Sequence, residues 1–125
     1  MNLEPAGVAK LAWQGAGDKK AIDPVILEMT DLTLVADYFV IASGRTAVAV
    51  RAIADGVEEL LAQHNLFPRG REGYEDGRWV LLDYGSVIVH IFLEQEREYY
   101  NLERLWRDAP RVEVESDVSG ISENL

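Results

Sequence analysis

The sixteen residues from Gly77 to Phe92, Gly-Arg-Trp-Val-Leu-Leu-Asp-Tyr-Gly-Ser-Val-Ile-Val-His-Ile-Phe, leave the chain few choices. Two runs rich in β-branched and aromatic residues, Trp79 to Asp83 and Val87 to Phe92, flank a Tyr84-Gly85 pair suited to a tight hairpin. With a two-residue loop there, Asp83 lies opposite Ser86, Leu82 opposite Val87, Leu81 opposite Ile88, Val80 opposite Val89 and Trp79 opposite His90. Directly opposed residues share a face. One face then carries Val80, Leu82, Val87, Val89 and Ile91, all aliphatic. The other carries Trp79, Leu81, Asp83, Ile88, His90 and Phe92. Both faces are apolar enough to need cover, and what covers the second decides whether the hairpin is core or docking surface.

The remaining elements follow from periodicity. Pro5 suits a helix start, and Val8, Leu11 and Ala12 recur at helical spacing up to about Gly15 to Gly17. Three glycines weaken that helix, so it needs packing against the sheet to persist. Trp13 reads as a packing residue within it. Val25 to Met29 and Tyr38 to Ala42 read as strands separated by a turn over Thr30 to Ala36. From Thr46 to His64 the positions Val50, Ile53, Val57, Leu60 and Leu61 form one apolar stripe opposite Arg51, Asp55, Glu58 and Glu59. Gly56 inside this helix implies a close approach to the sheet, and His64 reads as a C-terminal cap. Arg71 to Tyr74 is a short segment before the hairpin. After Phe92 a single helix reaches Asp108, with Tyr99, Leu102, Trp106 and Ala109 on one face, and Pro110 stops it. Strand, helix, strand implies a right-handed crossover, and so a mixed sheet with antiparallel hairpins at its ends.

A chain of 125 residues is long enough for one core and too short for two. It has no cysteine, which removes thiolate chemistry, disulfides and Cys-based zinc sites. No run reaches the length of a membrane span and the first residues have no secretory pattern, so a soluble, cytoplasmic protein is expected. A net charge of −10 disfavours extensive nucleic-acid contact and favours a basic protein partner. The segment from Val112 onward has four acidic residues and no Lys or Arg, and reads as a disordered tail.

Enzymatic signatures are sparse. The chain has no GxGxxG, P-loop, HExxH or GxSxG motif, and its two histidines sit on different elements. Ser43-Gly44, between a strand and a helix, is the one turn suited to holding a phosphate. Nucleotidyltransferases pair such a turn with an Asp-x-Asp, and none occurs here; Glu94-x-Glu96 and Glu113-x-Glu115 are misplaced for that role. No catalytic residue, metal ligand or cofactor is therefore assigned, and a nucleotide-binding or nucleotidyltransferase-like enzyme stays the alternative reading.

Asp37-Tyr-Phe-Val-Ile-Ala-Ser-Gly44, Ala52-Ile-Ala-Asp55, Glu72-Gly73, Trp79-Val-Leu-Leu-Asp-Tyr-Gly85, Val89-His-Ile-Phe92 and Arg97-Glu-Tyr-Tyr-Asn-Leu-Glu-Arg-Leu-Trp106, in this order, resemble the ribosomal silencing factor, or Iojap-related, family. The resemblance runs from about Lys20 to Ala109. It frames residues 1–19 as an N-terminal helix and linker, 20–109 as the domain and 110–125 as an acidic tail. It implies a single α+β domain with a mixed sheet of about five strands and helices packed on it, similar to nucleotidyltransferases without their catalytic carboxylates. It further implies binding to the large ribosomal subunit through its fourteenth protein at the intersubunit face. Subunit joining is then blocked and translation repressed under nutrient limitation.

From the hairpin register and the shared motif, Trp79 is the expected anchor of that contact, with Leu81, His90 and Phe92 beside it. Asp83, Tyr84, Tyr99, Tyr100 and Glu103 are expected at its rim. The same face is also a candidate homodimer surface in the free protein.

Overall fold

The computed structural model describes residues 3–114. Its elements are α1 (Pro5–Asp18), β1 (Ile22–Glu28), β2 (Tyr38–Gly44), α2 (Ala47–Ala62), β3 (Gly70–Glu72), β4 (Trp79–Asp83), β5 (Val87–Leu93), α3 (Glu94–Tyr100) and α4 (Leu102–Leu105). The strands form one five-stranded sheet in the order β1-β2-β5-β4-β3. β2 and β5 run parallel, joined through α2, and the other neighbours are antiparallel. This is the mixed α+β architecture expected from the strand–helix–strand order.

The hairpin register differs from expectation by two residues. Tyr84 N–H donates to the Val87 carbonyl at 2.9 Å, Asp83 pairs with Ile88, Leu81 with His90 and Trp79 with Phe92. The loop is therefore Gly85-Ser86. Gly85 has φ +86°, the sign that the primed hairpin turns require at their first loop position, and its N–H donates to Asp83 Oδ1 at 2.8 Å. Because the shift is even, every side chain keeps its expected face.

On the aliphatic face, Val80, Leu82, Val87, Val89 and Ile91 are sealed by α1 and α2 together with Val40 and Ala42 of β2. Each such side chain, fully buried, stabilises the fold by about 1.5–3 kcal/mol. The helix α2 supplies Val50, Ile53, Ala54, Val57 and Leu61 to this layer. Thr46 starts it by accepting a hydrogen bond from Ala49 N–H at 3.0 Å. Replacing Thr46 by alanine orphans that donor and lowers stability by about 1 kcal/mol, to be read as a shift in the urea midpoint.

α1 persists to Asp18 because it is integrated in the core, with Val8, Ala9, Ala12 and Ala16 buried. The boundary expected near residue 19 thus falls inside the packed unit. The close approach expected of Gly56 is made to α1 and its cap, not to the sheet. A Cβ on Gly56 would meet the Lys19 side chain at 2.5 Å, and one on Gly15 would meet Val57 Cα at 3.0 Å. Trp13 packs as expected, its indole N–H donating to the Pro24 carbonyl at 2.8 Å.

Two further expectations are corrected. The helix after β5 is two short pieces, because Asn101 adopts the left-handed conformation (φ 48°, ψ 60°) that ends α3. Its side chain then caps α4 by accepting from Arg104 N–H at 3.2 Å. The segment expected as an acidic tail from residue 110 also starts against the sheet. Glu28 N–H donates to the Pro110 carbonyl and Val112 N–H to the Ile26 carbonyl, so residues 110–112 line the outer edge of β1. The stretch from 115 onward, expected to be disordered, lies outside the described residues.

Candidate functional site

The second face of the sheet is covered only in part. Over β1 and β2, Leu27, Met29, Phe39 and Ile41 lie beneath Leu102, Trp106 and Ala109. Over β4 and β5, the α3 side chain Tyr100 lies 4.7 Å from the Trp79 ring and 6.3 Å from that of Phe92. Trp79 and Leu81 of β4 are half-buried there, and Ile88 and His90 of β5 beside them are buried. Exposed apolar side chains stand at both ends. Tyr99, Tyr100 and Leu105 follow the Phe92 end of β5. Leu34 and Val35 project from the loop entering β2 at the Val87 end.

Trp79 is the hub of an aromatic cluster. Its ring centroid lies 4.7 Å from that of Phe92, 4.7 Å from Tyr100 and 5.9 Å from His90. The indole N–H donates to His90 Nδ1 at 3.1 Å. His90 is only 5% exposed, and Phe39 meets it edge-on at 4.8 Å. With Nδ1 accepting, the ring proton sits on Nε2, a buried donor with no protein partner. Burial among uncharged rings lowers the His90 pKa to about 4, so the ring is neutral at physiological pH.

The nine residues expected at a partner contact therefore divide. Trp79, Leu81, Asp83, Tyr99 and Tyr100 lie on the open side, Tyr99 at 80% and Tyr100 at 46% exposure. Asp83 forms an exposed pair with Arg69 at 3.4 Å. His90 and Phe92 are corrections: they share the face but are buried, His90 against Phe39 and Trp79 and Phe92 against Trp79 and Tyr100. Tyr84 is a correction as well. It packs with the aliphatic layer on the opposite side, where burial raises the pKa of its unpartnered hydroxyl. Glu103 is turned inward to Arg97, at 2.8 Å.

The Ser43-Gly44 turn is filled by the protein itself. The Ser43 hydroxyl, 1% exposed, donates to the Ile22 carbonyl at 3.4 Å and accepts from Arg97 at 3.1 Å. A Cβ at Gly44 would press on Ala49, Val50 and Ile53, each at 3.2 Å. His64 caps α2 as expected, its Nδ1 3.2 Å from the Leu60 carbonyl. Among the described residues, no group of three or more His, Cys, Asp or Glu is placed to hold a metal, and no helix is long and apolar enough to cross a membrane.

The fold and the face together define a single mixed-sheet α+β domain with one sheet surface sealed and the other partly open around a tryptophan. Comparison with known proteins makes the class specific. The family model described as "Ribosomal silencing factor during starvation" matches residues 3–124, and the chain belongs to that family.

Among its relatives, the ribosomal silencing factor of Halalkalibacterium halodurans is 44% identical over 110 residues, covering 88% of this chain and 94% of that one. The factor of Bacillus subtilis is 41% identical over 113 residues, covering 90% and 96%. A crystal structure of a Chromobacterium violaceum protein superimposes with a TM-score of 0.81 at 33% identity, covering 91% of this chain and 92% of that one. The Halalkalibacterium halodurans and Bacillus subtilis relatives bear the name ribosomal silencing factor, and the chain is similar to them over most of its length.

Proposed function

We propose that this protein silences ribosomes by occlusion. It binds the large ribosomal subunit through that subunit's fourteenth protein, at the intersubunit face, and holds off the small subunit. Translation falls in consequence when nutrients are scarce. The place of action is the cytoplasm, where subunits meet.

The observation that carries this reading is the half of the second sheet face over β4 and β5, where Trp79 and Leu81 are only half-buried. A half-buried tryptophan with exposed Tyr99, Tyr100 and Leu105 at the same end of the sheet has the make-up of an interface anchor, since Trp and Tyr dominate binding energy in such contacts. A contact of standard size buries roughly 1,200 to 2,000 Å². The charge of −10 suits a basic protein better than ribosomal RNA. Size completes the argument. A domain of this length has a radius of gyration of about 14 Å, and its bulk is far wider than the close spacing of two docked subunits.

The test is direct. Isolated large subunits pelleted through sucrose with the full-length protein are expected to carry it down. Small subunits added afterwards are expected to join fewer of them as the protein is raised. Undiminished joining at saturating protein overturns the occlusion mechanism, and absence from the pellet overturns the binding. A photoreactive group at position 79 is expected to crosslink to the fourteenth protein.

A further inference from the structure

Neither α3 nor α4 buries a single residue, and at seven and four residues neither is long enough to hold itself together. Something else must fix their orientation. Among the described residues, the apolar ties of this elbow to the sheet are half-buried Leu102 and Trp106 and the packing of Tyr100 on Trp79 and Phe92.

Arg97 supplies the missing anchor. Its guanidinium is nearly enclosed, with the side chain 12% exposed, and makes five hydrogen bonds. Nη1 donates to the Ile22 carbonyl at 2.9 Å and to the Ser43 hydroxyl at 3.1 Å. Nη2 donates to the Asp23 carbonyl at 2.8 Å and to Glu103 Oε2 at 2.8 Å, and Nε to Glu103 Oε1 at 3.3 Å. One side chain thus ties α3 to β1, to β2 and, across the Asn101 bend, to α4. The receiving carbonyls are available because β1 is irregular between Ile22 and Val25, where Asp23 has φ 45°. A bulge of this kind leaves a residue out of the ladder and redirects its neighbours.

We infer that Arg97 is the positioning residue of the docking face. By locking the α3–α4 elbow to the β1 bulge it holds Tyr99, Tyr100 and Leu105 as a preformed wall beside Trp79. The inference rests on the proposed silencing function for what the wall meets. The physical gain is preorganisation: a partner that finds the wall already in place does not have to order it. Lysine cannot substitute, because its three donors radiate from one atom and cannot match the planar fork.

The test uses Arg97→Lys in the full chain, with two readouts. Trypsin cleavage after Arg104 and Arg107, at the released elbow, is expected to accelerate at least tenfold while the thermal midpoint of the sheet core moves little. Capture by large subunits is expected to fall at least fivefold. In a background already lacking the wall, Tyr99→Ala with Tyr100→Ala, adding Arg97→Lys is expected to change capture less than twofold. A residue that merely stabilised the fold would lower capture by the same factor in both backgrounds, and that result overturns the inference. Unchanged trypsin sensitivity also overturns it. If the wild-type protein is not captured at all, the silencing reading fails separately, and the cleavage rates still decide whether Arg97 holds the elbow.

Discussion

Replacing Trp79 by alanine is expected to lower capture of the protein by large ribosomal subunits more than tenfold. Tenfold corresponds to about 1.4 kcal/mol, and truncated tryptophan anchors at interface centres often cost 2 kcal/mol or more. The side chain loses three things at once. Its exposed edge no longer meets a partner, Tyr100 loses the ring it rests on, and Phe92 beneath becomes accessible.

The fold should survive, since the layer under α1 and α2 does not include Trp79. Far-ultraviolet circular dichroism is expected to be unchanged, with a stability loss of about 2–3 kcal/mol, below the usual cost of a core aromatic truncation because the ring is only half-buried. Trp79→Phe separates packing from contact: it retains most of the stability and recovers part of the capture. Full capture by a folded Trp79→Ala variant would remove this residue from the interface.

Residue pattern alone reveals the faces of the hairpin but not its pairing. Alternation has period two, so Val80, Leu82, Val89 and Ile91 point to the helices under either register, while the turn chemistry of Tyr84-Gly85-Ser86 admits more than one loop. The long helix after β5 misleads for a different reason. Leu102, Trp106 and Ala109 do share one apolar face, but the periodicity extends smoothly across Asn101, whose left-handed backbone breaks the helix there. Tyr99 is thereby detached from that face and left exposed.

Arg97 is the residue least visible beforehand. Its partners include backbone carbonyls more than seventy positions away, and backbone acceptors leave no mark in a sequence. The one available sign is chemical: Arg97 is the lone cation in an α3 that otherwise offers Glu94, Glu96 and Glu98, just after a strand that ends beside Ser43-Gly44.

Acid should weaken the fold through His90, and the sign follows from its surroundings. Phe39, Trp79 and Phe92 surround the ring with uncharged surface, which holds its pKa in the folded chain at about 4 against 6.5 when unfolded. Between those values the unfolded chain takes up a proton that the folded chain refuses. Stability attributable to His90 is therefore fully present above about pH 6.5 and is lost progressively as pH falls toward 4. A difference of about 2.5 units, at about 1.4 kcal/mol each, gives a loss on the order of 3 kcal/mol.

Carboxylates titrate over part of the same range, so the measurement is a difference. Urea unfolding at pH 7 and pH 4.5 is expected to show wild type losing about 2–3 kcal/mol more than His90→Phe, which keeps an aromatic ring and cannot take up the proton. Equal losses would show that His90 does not carry the effect. Forced protonation also has a local consequence. The proton must enter at Nδ1, which already accepts the Trp79 indole N–H, so two donors would face each other at 3.1 Å. The indole must then swing away from His90, and the proposed anchor moves with it. Trp79 fluorescence of the folded protein is expected to change as pH falls through about 4, where the folded ring takes up its proton, and capture by large subunits to decline in step.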